Sequence, residues 1–111
     1  MTLGEKQRRF TRMLANLIKW AYDHGYELTV GDAYRDPRLH GAVGVKLGYG
    51  RSYSNHKIRL AMDFNLFKDG QFLQDTEDHR PLGEFWESLG GSWGGRFQDG
   101  NHYSLEHEGR Q

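Results

Sequence analysis

A carboxylate inside an apolar strand constrains this chain more than any other feature. Residues Leu60 to Phe67 alternate with the two-residue period of a strand. That period places Leu60, Met62, Phe64 and Leu66 on one face and Ala61, Asp63 and Asn65 on the other. A carboxylate held there loses hydration and needs a charged or hydrogen-bonding partner in return. The fold must therefore bring another stretch onto this strand. His56, seven residues before Asp63, is one candidate. Their odd spacing sets the two on opposite faces of a straight strand, so the chain has to turn between them. Asp99-Gly100-Asn101-His102 offers a second imidazole and a second carboxylate.

These residues read as a divalent-metal site. The chain has no cysteine, which excludes a disulfide framework, a thiol nucleophile and zinc–thiolate ligation. Any transition-metal site must use His and carboxylate, and six His make that feasible. His56, Asp63 and His102, two imidazoles and one carboxylate, suit Zn2+ with an open fourth position, the pattern of a catalytic site. Asp99, three residues before His102 across a tight turn, is placed to act as general base and to hand the proton to a leaving amine. His24, His40, His79 and His107 are read as ordinary residues. Among these, His24 suits a helix C-terminus, and His107 has some claim to support the ligand stretch.

The remaining chain supplies a small scaffold. Thr2-Leu3-Gly4-Glu5 fits a capping box. Behind it Phe10, Met13, Leu14, Leu17, Ile18 and Ala21 recur at helical spacing, up to Gly25 as the C′ residue. Tyr26 to Val30 reads as a strand, and Asp69-Gly70 as a two-residue hairpin turn into Gln71-Phe72-Leu73. A second helix is expected to start at Thr76 or Asp78, with Leu82, Phe85, Trp86 and Leu89 at core spacing. His102 to Glu106 is expected as the last strand, with His102, Ser104 and Glu106 on one face. Arg38 to Tyr53 is a glycine-rich stretch with little periodicity, read as a loop with a short helical turn around Leu39 to Val45. The expected fold is a small α+β domain over residues 1–111, two main helices packed on an antiparallel sheet. Its zinc site lies at the edge of a cleft formed by the long loop and the C-terminal turn.

Charge and targeting signals narrow the function. Lys and Arg number 15 and Asp and Glu 15, so no net field argues for nucleic acid or an anionic membrane. The early basic cluster Lys6, Arg8, Arg9 and Arg12 reads as the polar face of a helix. No hydrophobic signal core begins the sequence and no run suits membrane insertion, so synthesis in the cytoplasm is expected.

With these residues in place, the chain resembles the M15 family of zinc peptidases. Ser54-x-His56 with Ala61-x-Asp63-Phe64, then Gly90-Gly91-Ser92-Trp93-Gly94-Gly95 and Asp99-x-x-His102, stand in family order. The family includes D-alanyl-D-alanine carboxypeptidases and dipeptidases and phage L-alanyl-D-glutamate endolysins. The resemblance implies that His56, Asp63 and His102 ligate zinc and that Asp99 is the catalytic acid/base. An Asp rather than a Glu there is closer to the endolysin branch. It also implies that Arg35, in Ala33-Tyr34-Arg35, lies near the scissile carbonyl, where a guanidinium stabilises an oxyanion or binds a carboxylate. An ordinary ion pair with Asp32 or Asp36 is the other reading of Arg35. Ser54 is read as a hydrogen-bond donor to substrate or ligand loop, or as a plain turn residue. Trp93 is read as a wall of the cleft or as packing beneath it. One position departs from the motif: Arg59 stands where the family commonly has Gly.

The implied activity is hydrolysis of a peptide bond in the peptidoglycan stem, most readily L-alanyl-D-glutamate, by a monomer that reaches the wall through a holin-type pore. The rival readings are a D,D-carboxypeptidase, an inactive zinc-bound module that binds peptidoglycan, and a metal-free interaction domain.

Overall fold

The computed structural model describes residues 1–31 and 59–107. Arg35, Ser54, His56, the expected loop from Arg38 to Tyr53 and its helical turn lie outside the described residues.

Helix α1 (Leu3–Asp23) starts as its capping box dictates. The Glu5 N–H donates to Thr2 Oγ1 at 3.1 Å, and the Thr2 N–H donates to Glu5 Oε1 at 2.8 Å. Phe10, Met13, Leu17 and Ala21 form its buried face. Ile18, expected in that face, is 38% exposed; one step beyond Leu17 turns it about 100° away from the core. At the far end the His24 ring stacks on Trp20 and its Nδ1–H donates to the Trp20 carbonyl at 2.7 Å. Gly25 then takes the left-handed conformation at φ 85°.

Strand β1 (Tyr26–Val30) pairs antiparallel with the central strand β2 (Ala61–Lys68), from Tyr26 opposite Lys68 to Val30 opposite Phe64. Asp69 and Gly70, both at positive φ (52° and 77°), turn β2 back into β3 (Gln71–Leu73). Two positive φ angles are the requirement of the tight hairpin turn that matches strand twist.

The next helix begins as a 3-10 turn (Thr76–His79) and continues as α2 (Arg80–Ser88), which buries Leu82 and Trp86. The glycine-rich stretch after it contains a two-residue strand, β4 (Ser92–Trp93), and a 3-10 turn (Gly94–Phe97). The last strand, β5 (His102–Ser104), is shorter than expected. Ser104 is fully buried, and β4 pairs along this strand with Ser92 opposite Ser104.

The sheet order is β1-β2-β5-β4, with β3 also on β2. Gly31 N–H donates to the Asp63 carbonyl on the β1 side of β2, and Phe64 N–H donates to the Asn101 carbonyl on the opposite side. β5 therefore shares with β3 the edge of β2 that faces away from β1. The architecture is α+β: two helices and an antiparallel sheet around one core of Phe10, Leu17, Phe64, Trp86 and Tyr103 with their neighbours. Among the described residues no helix is long and apolar enough to cross a membrane.

Candidate active site

Strand register brings the two described ligand candidates together. Asp63 in β2 lies directly opposite His102 in β5. His102 Nδ1 and Asp63 Oδ1 are 3.0 Å apart, and each side chain is 15% exposed. The carboxylate in the apolar strand thus has an imidazole from the far end of the chain beside it. The expectation that a second stretch must close onto this strand is met by β5.

The turn before β5 is held from several sides. Asp99 N–H donates to the Gly94 carbonyl at 2.9 Å, and His102 N–H donates to the Asp99 carbonyl at 3.1 Å. Trp93 Nε1–H donates to the Gly100 carbonyl at 2.8 Å, and Gly100 N–H donates to Thr76 Oγ1 at 3.3 Å. Gln98, immediately before Asp99, sits at φ 61°, a left-handed conformation of the kind that concentrates at functional sites. Glycine is required at position 94 by close approach: a Cβ there would meet the Asp99 carbonyl oxygen at 2.3 Å and His102 Cβ at 2.8 Å. The Asp99 backbone is therefore fixed while its residue stays exposed, which suits a carboxylate that must exchange protons with water and substrate.

Trp93 is 1% exposed. Of the two placements considered from sequence, packing beneath the site is the one it occupies. The Arg80 and Arg96 guanidinium groups lie 5.4 and 5.5 Å from its ring, and Arg96 forms a two-pronged ion pair with Glu87. His107 Nδ1 accepts from Lys6 Nζ at 3.0 Å, at the start of α1. Arg59 takes φ 61° immediately before Leu60 and β2.

The donor chemistry fits zinc. One carboxylate oxygen and one imidazole nitrogen, 3.0 Å apart at hydrogen-bonding distance, are donors of the kind zinc takes. Among the described residues no group of three or more His, Cys, Asp or Glu gathers into a metal site. The third expected ligand, His56, lies outside them.

A family model described as D-alanyl-D-alanine carboxypeptidase, from the M15 peptidases, matches residues 48–105, more than half of the chain. The chain belongs to the M15 peptidase family. The M15 match contains the β2–β5 pair, the clamped turn and Asp99, and also Ser54 and His56. Arg35 lies before it. A comparison with curated proteins returns no match.

His79, read from sequence as an ordinary residue, lies in the core of this M15 peptidase. Its ring is 3% exposed, and its Nδ1 lies 2.7 Å from the Tyr103 hydroxyl. Burial pushes its pKa down to about 4, against a smaller upward pull from Asp78. Burial also raises the Tyr103 hydroxyl pKa. No local motif could have marked this pair, whose members are 24 positions apart.

Proposed function

We propose that this M15 peptidase is a zinc-dependent peptidoglycan hydrolase of the endolysin type, cutting the L-alanyl-D-glutamate bond of the stem peptide. The observation that carries the reading is the Asp63–His102 pair at 3.0 Å, with Asp99 on the clamped turn three residues before His102. M15 peptidases are generally zinc-dependent. His56, Asp63 and His102 would hold the ion. When bound, zinc supplies Lewis-acid polarisation of the scissile carbonyl and a lower water pKa.

The chain's own groups supply the rest. Asp99 takes the proton of the attacking water and delivers it to the departing amine, and its anchored backbone keeps the carboxylate in register with His102. Arg35 stabilises the charge that develops on the carbonyl oxygen, and Ser54 donates a hydrogen bond to the substrate or the ligand loop. The Asp at position 99 favours the endolysin branch over the carboxypeptidase branch. The protein acts as a monomer, made in the cytoplasm and admitted to the wall by a pore-former.

The description attached to the matching family favours a second reading, a D-alanyl-D-alanine carboxypeptidase with the same site and another substrate register. Digestion of purified sacculi, with mass spectrometry of the new termini, separates them. The endolysin reading expects free L-alanyl carboxylates and D-glutamyl amines; release of D-alanine alone overturns it. Asp99→Ala is expected to lower kcat by roughly 10²–10⁴-fold with zinc stoichiometry near one. Undiminished hydrolysis by this variant would remove Asp99 from the mechanism.

A further inference from the structure

Among the described residues two phenylalanines are exposed, Phe72 at 50% and Phe97 at 72%. Both border the turn that carries Asp99. Phe72 lines a cavity of about 270 Å³ whose wall also holds Asn65, Thr76, Gln98, Asp99 and Asn101. Phe97 immediately precedes Gln98. Strand register sets Phe72 directly opposite Phe67, and the two rings stack with centroids 5.3 Å apart. Phe67 in turn leads back to the candidate metal pair. Asp63, Asn65 and Phe67 alternate along one face of β2, the face on which Asp63 meets His102. Four strand residues cover ~13 Å, so the stacked rings lie about that far from the carboxylate, on the same side of the sheet.

A single exposed apolar side chain is ordinary, but two beside one cavity, next to the proposed acid/base, give that cavity a particular chemistry. Its apolar part is aromatic. Its polar part is made of amides (Asn65, Gln98, Asn101) and a hydroxyl (Thr76), groups that both donate and accept. A sugar ring is built to the same plan, with a face of C–H groups and a rim of hydroxyl and acetamido groups. Those C–H groups carry partial positive charge and pack on the negative face of an aromatic ring. The reach agrees. In the substrate of the proposed function, about six bonds, roughly 7–8 Å when extended, join the scissile carbonyl carbon to the N-acetylmuramyl ring, itself ~5 Å across. A stem bound with its scissile carbonyl at the metal pair can therefore lay that ring on Phe67 and Phe72. The cavity is smaller than the ~300–1,000 Å³ of sites that enclose a whole drug-sized ligand, and it suits one ring.

We propose that Phe72, backed by Phe67 and flanked by Phe97, is a subsite for the glycan sugar that bears the stem peptide. The proposal rests on the peptidoglycan reading and deepens it. The sugar next to the cleaved bond supplies binding energy, so the protein prefers stems still attached to glycan over free stem peptides.

The test uses the zinc-loaded protein and two substrates with one stem peptide, whose L-alanyl amine carries either the muramyl disaccharide or an acetyl group. The readout is the ratio of kcat/KM on the first to kcat/KM on the second. Phe72→Ala is expected to lower that ratio about five- to tenfold, the worth of one aromatic stacking contact, and Phe97→Ala to lower it in the same direction. A general loss of folded protein scales both substrates alike and cannot move the ratio. Equal losses on both substrates would place a peptide residue at Phe72 and overturn the glycan subsite. An unchanged ratio with unchanged rates would overturn it as well, and either result leaves the hydrolase reading intact. In parallel, the Phe72 ring signals of the wild type are followed by NMR during titration with the free disaccharide. Shifts there without cleavage of either substrate support the subsite and defeat the hydrolase reading. Silent ring signals without cleavage defeat both.

Discussion

Arg59 occupies a backbone conformation, φ 61°, that crowds Cβ against the following carbonyl at a cost of roughly 1–2 kcal/mol. Gly, which the resemblance puts at this position, takes such a left-handed turn without that cost. Arg59→Gly removes the crowding but adds freedom to the unfolded chain, which returns part of the gain. The net expectation is a stabilisation of about 0.5–1 kcal/mol, read as a higher urea midpoint at unchanged m-value. A second residue-level effect follows from His79. The unfolded chain binds its proton near pH 6.5, whereas the native ring does so only near pH 4. Within that window the unfolded state holds more protons, so native stability falls as the pH drops. Above pH 6.5 this contribution is fully present. Its loss across the window amounts to on the order of 2–3 kcal/mol. His79→Gln removes the titrating group and keeps a hydrogen-bond partner for Tyr103. The stability difference between wild type and this variant is expected to shrink from pH 7 to pH 4, as measured by urea melts at each pH.

At the scale of elements, the clamped turn from Trp93 to His102 links the core to Asp99, the proposed acid/base. Gly94→Ala is its sharpest probe, because the added Cβ would meet main-chain and Cβ atoms at 2.3 and 2.8 Å, and these have no rotamer to escape into. The turn must open, which moves Asp99 relative to His102. Expected are a loss of about 1–3 kcal/mol in stability and a drop in kcat of about 100-fold, with zinc stoichiometry kept near one. Equal kcat in the folded variant would show that Asp99 tolerates displacement. Features of this kind also mark how far the sequence is legible. The Thr2/Glu5 cap and the Asp69-Gly70 hairpin are decided by neighbours in sequence, and both were readable there. The alternation around Asp63 was readable too, and with it the demand for a partner from a distant stretch. Ile18 shows where periodicity alone is too generous, since a single step around α1 separates core from surface. β4 and the short β5 depend on each other, and the His79–Tyr103 pair depends on the 3-10 turn before α2 meeting β5. None of these leaves a local pattern.

For the molecule as a whole, the proposed function ties ion binding to the fold. Asp63 and His102 are 39 positions apart and meet only when β2 and β5 are paired. The same pairing carries Tyr103 into the core, and the chain beyond it returns to α1 through Lys6, which donates to the Glu106 carbonyl at 3.4 Å. The unfolded chain scatters these donors, so an ion that needs both binds the native state and stabilises it by mass action. At free zinc 100 times Kd the gain is about 2.7 kcal/mol, and at about 4–8 °C per kcal/mol for a domain of this size the melting temperature should rise by roughly 10–20 °C. A chelator should reverse the shift. Asp63→Asn keeps the shape of the side chain but removes the charge that an ion requires, so its melting temperature should no longer respond to zinc. Because the readout is thermal unfolding, the result does not depend on which peptide bond is cut. A wild-type melting temperature indifferent to both zinc and chelator would argue that the β2–β5 pair holds no ion, and would leave Asp63 and His102 as a buried carboxylate–imidazole contact that only stabilises the strand pair.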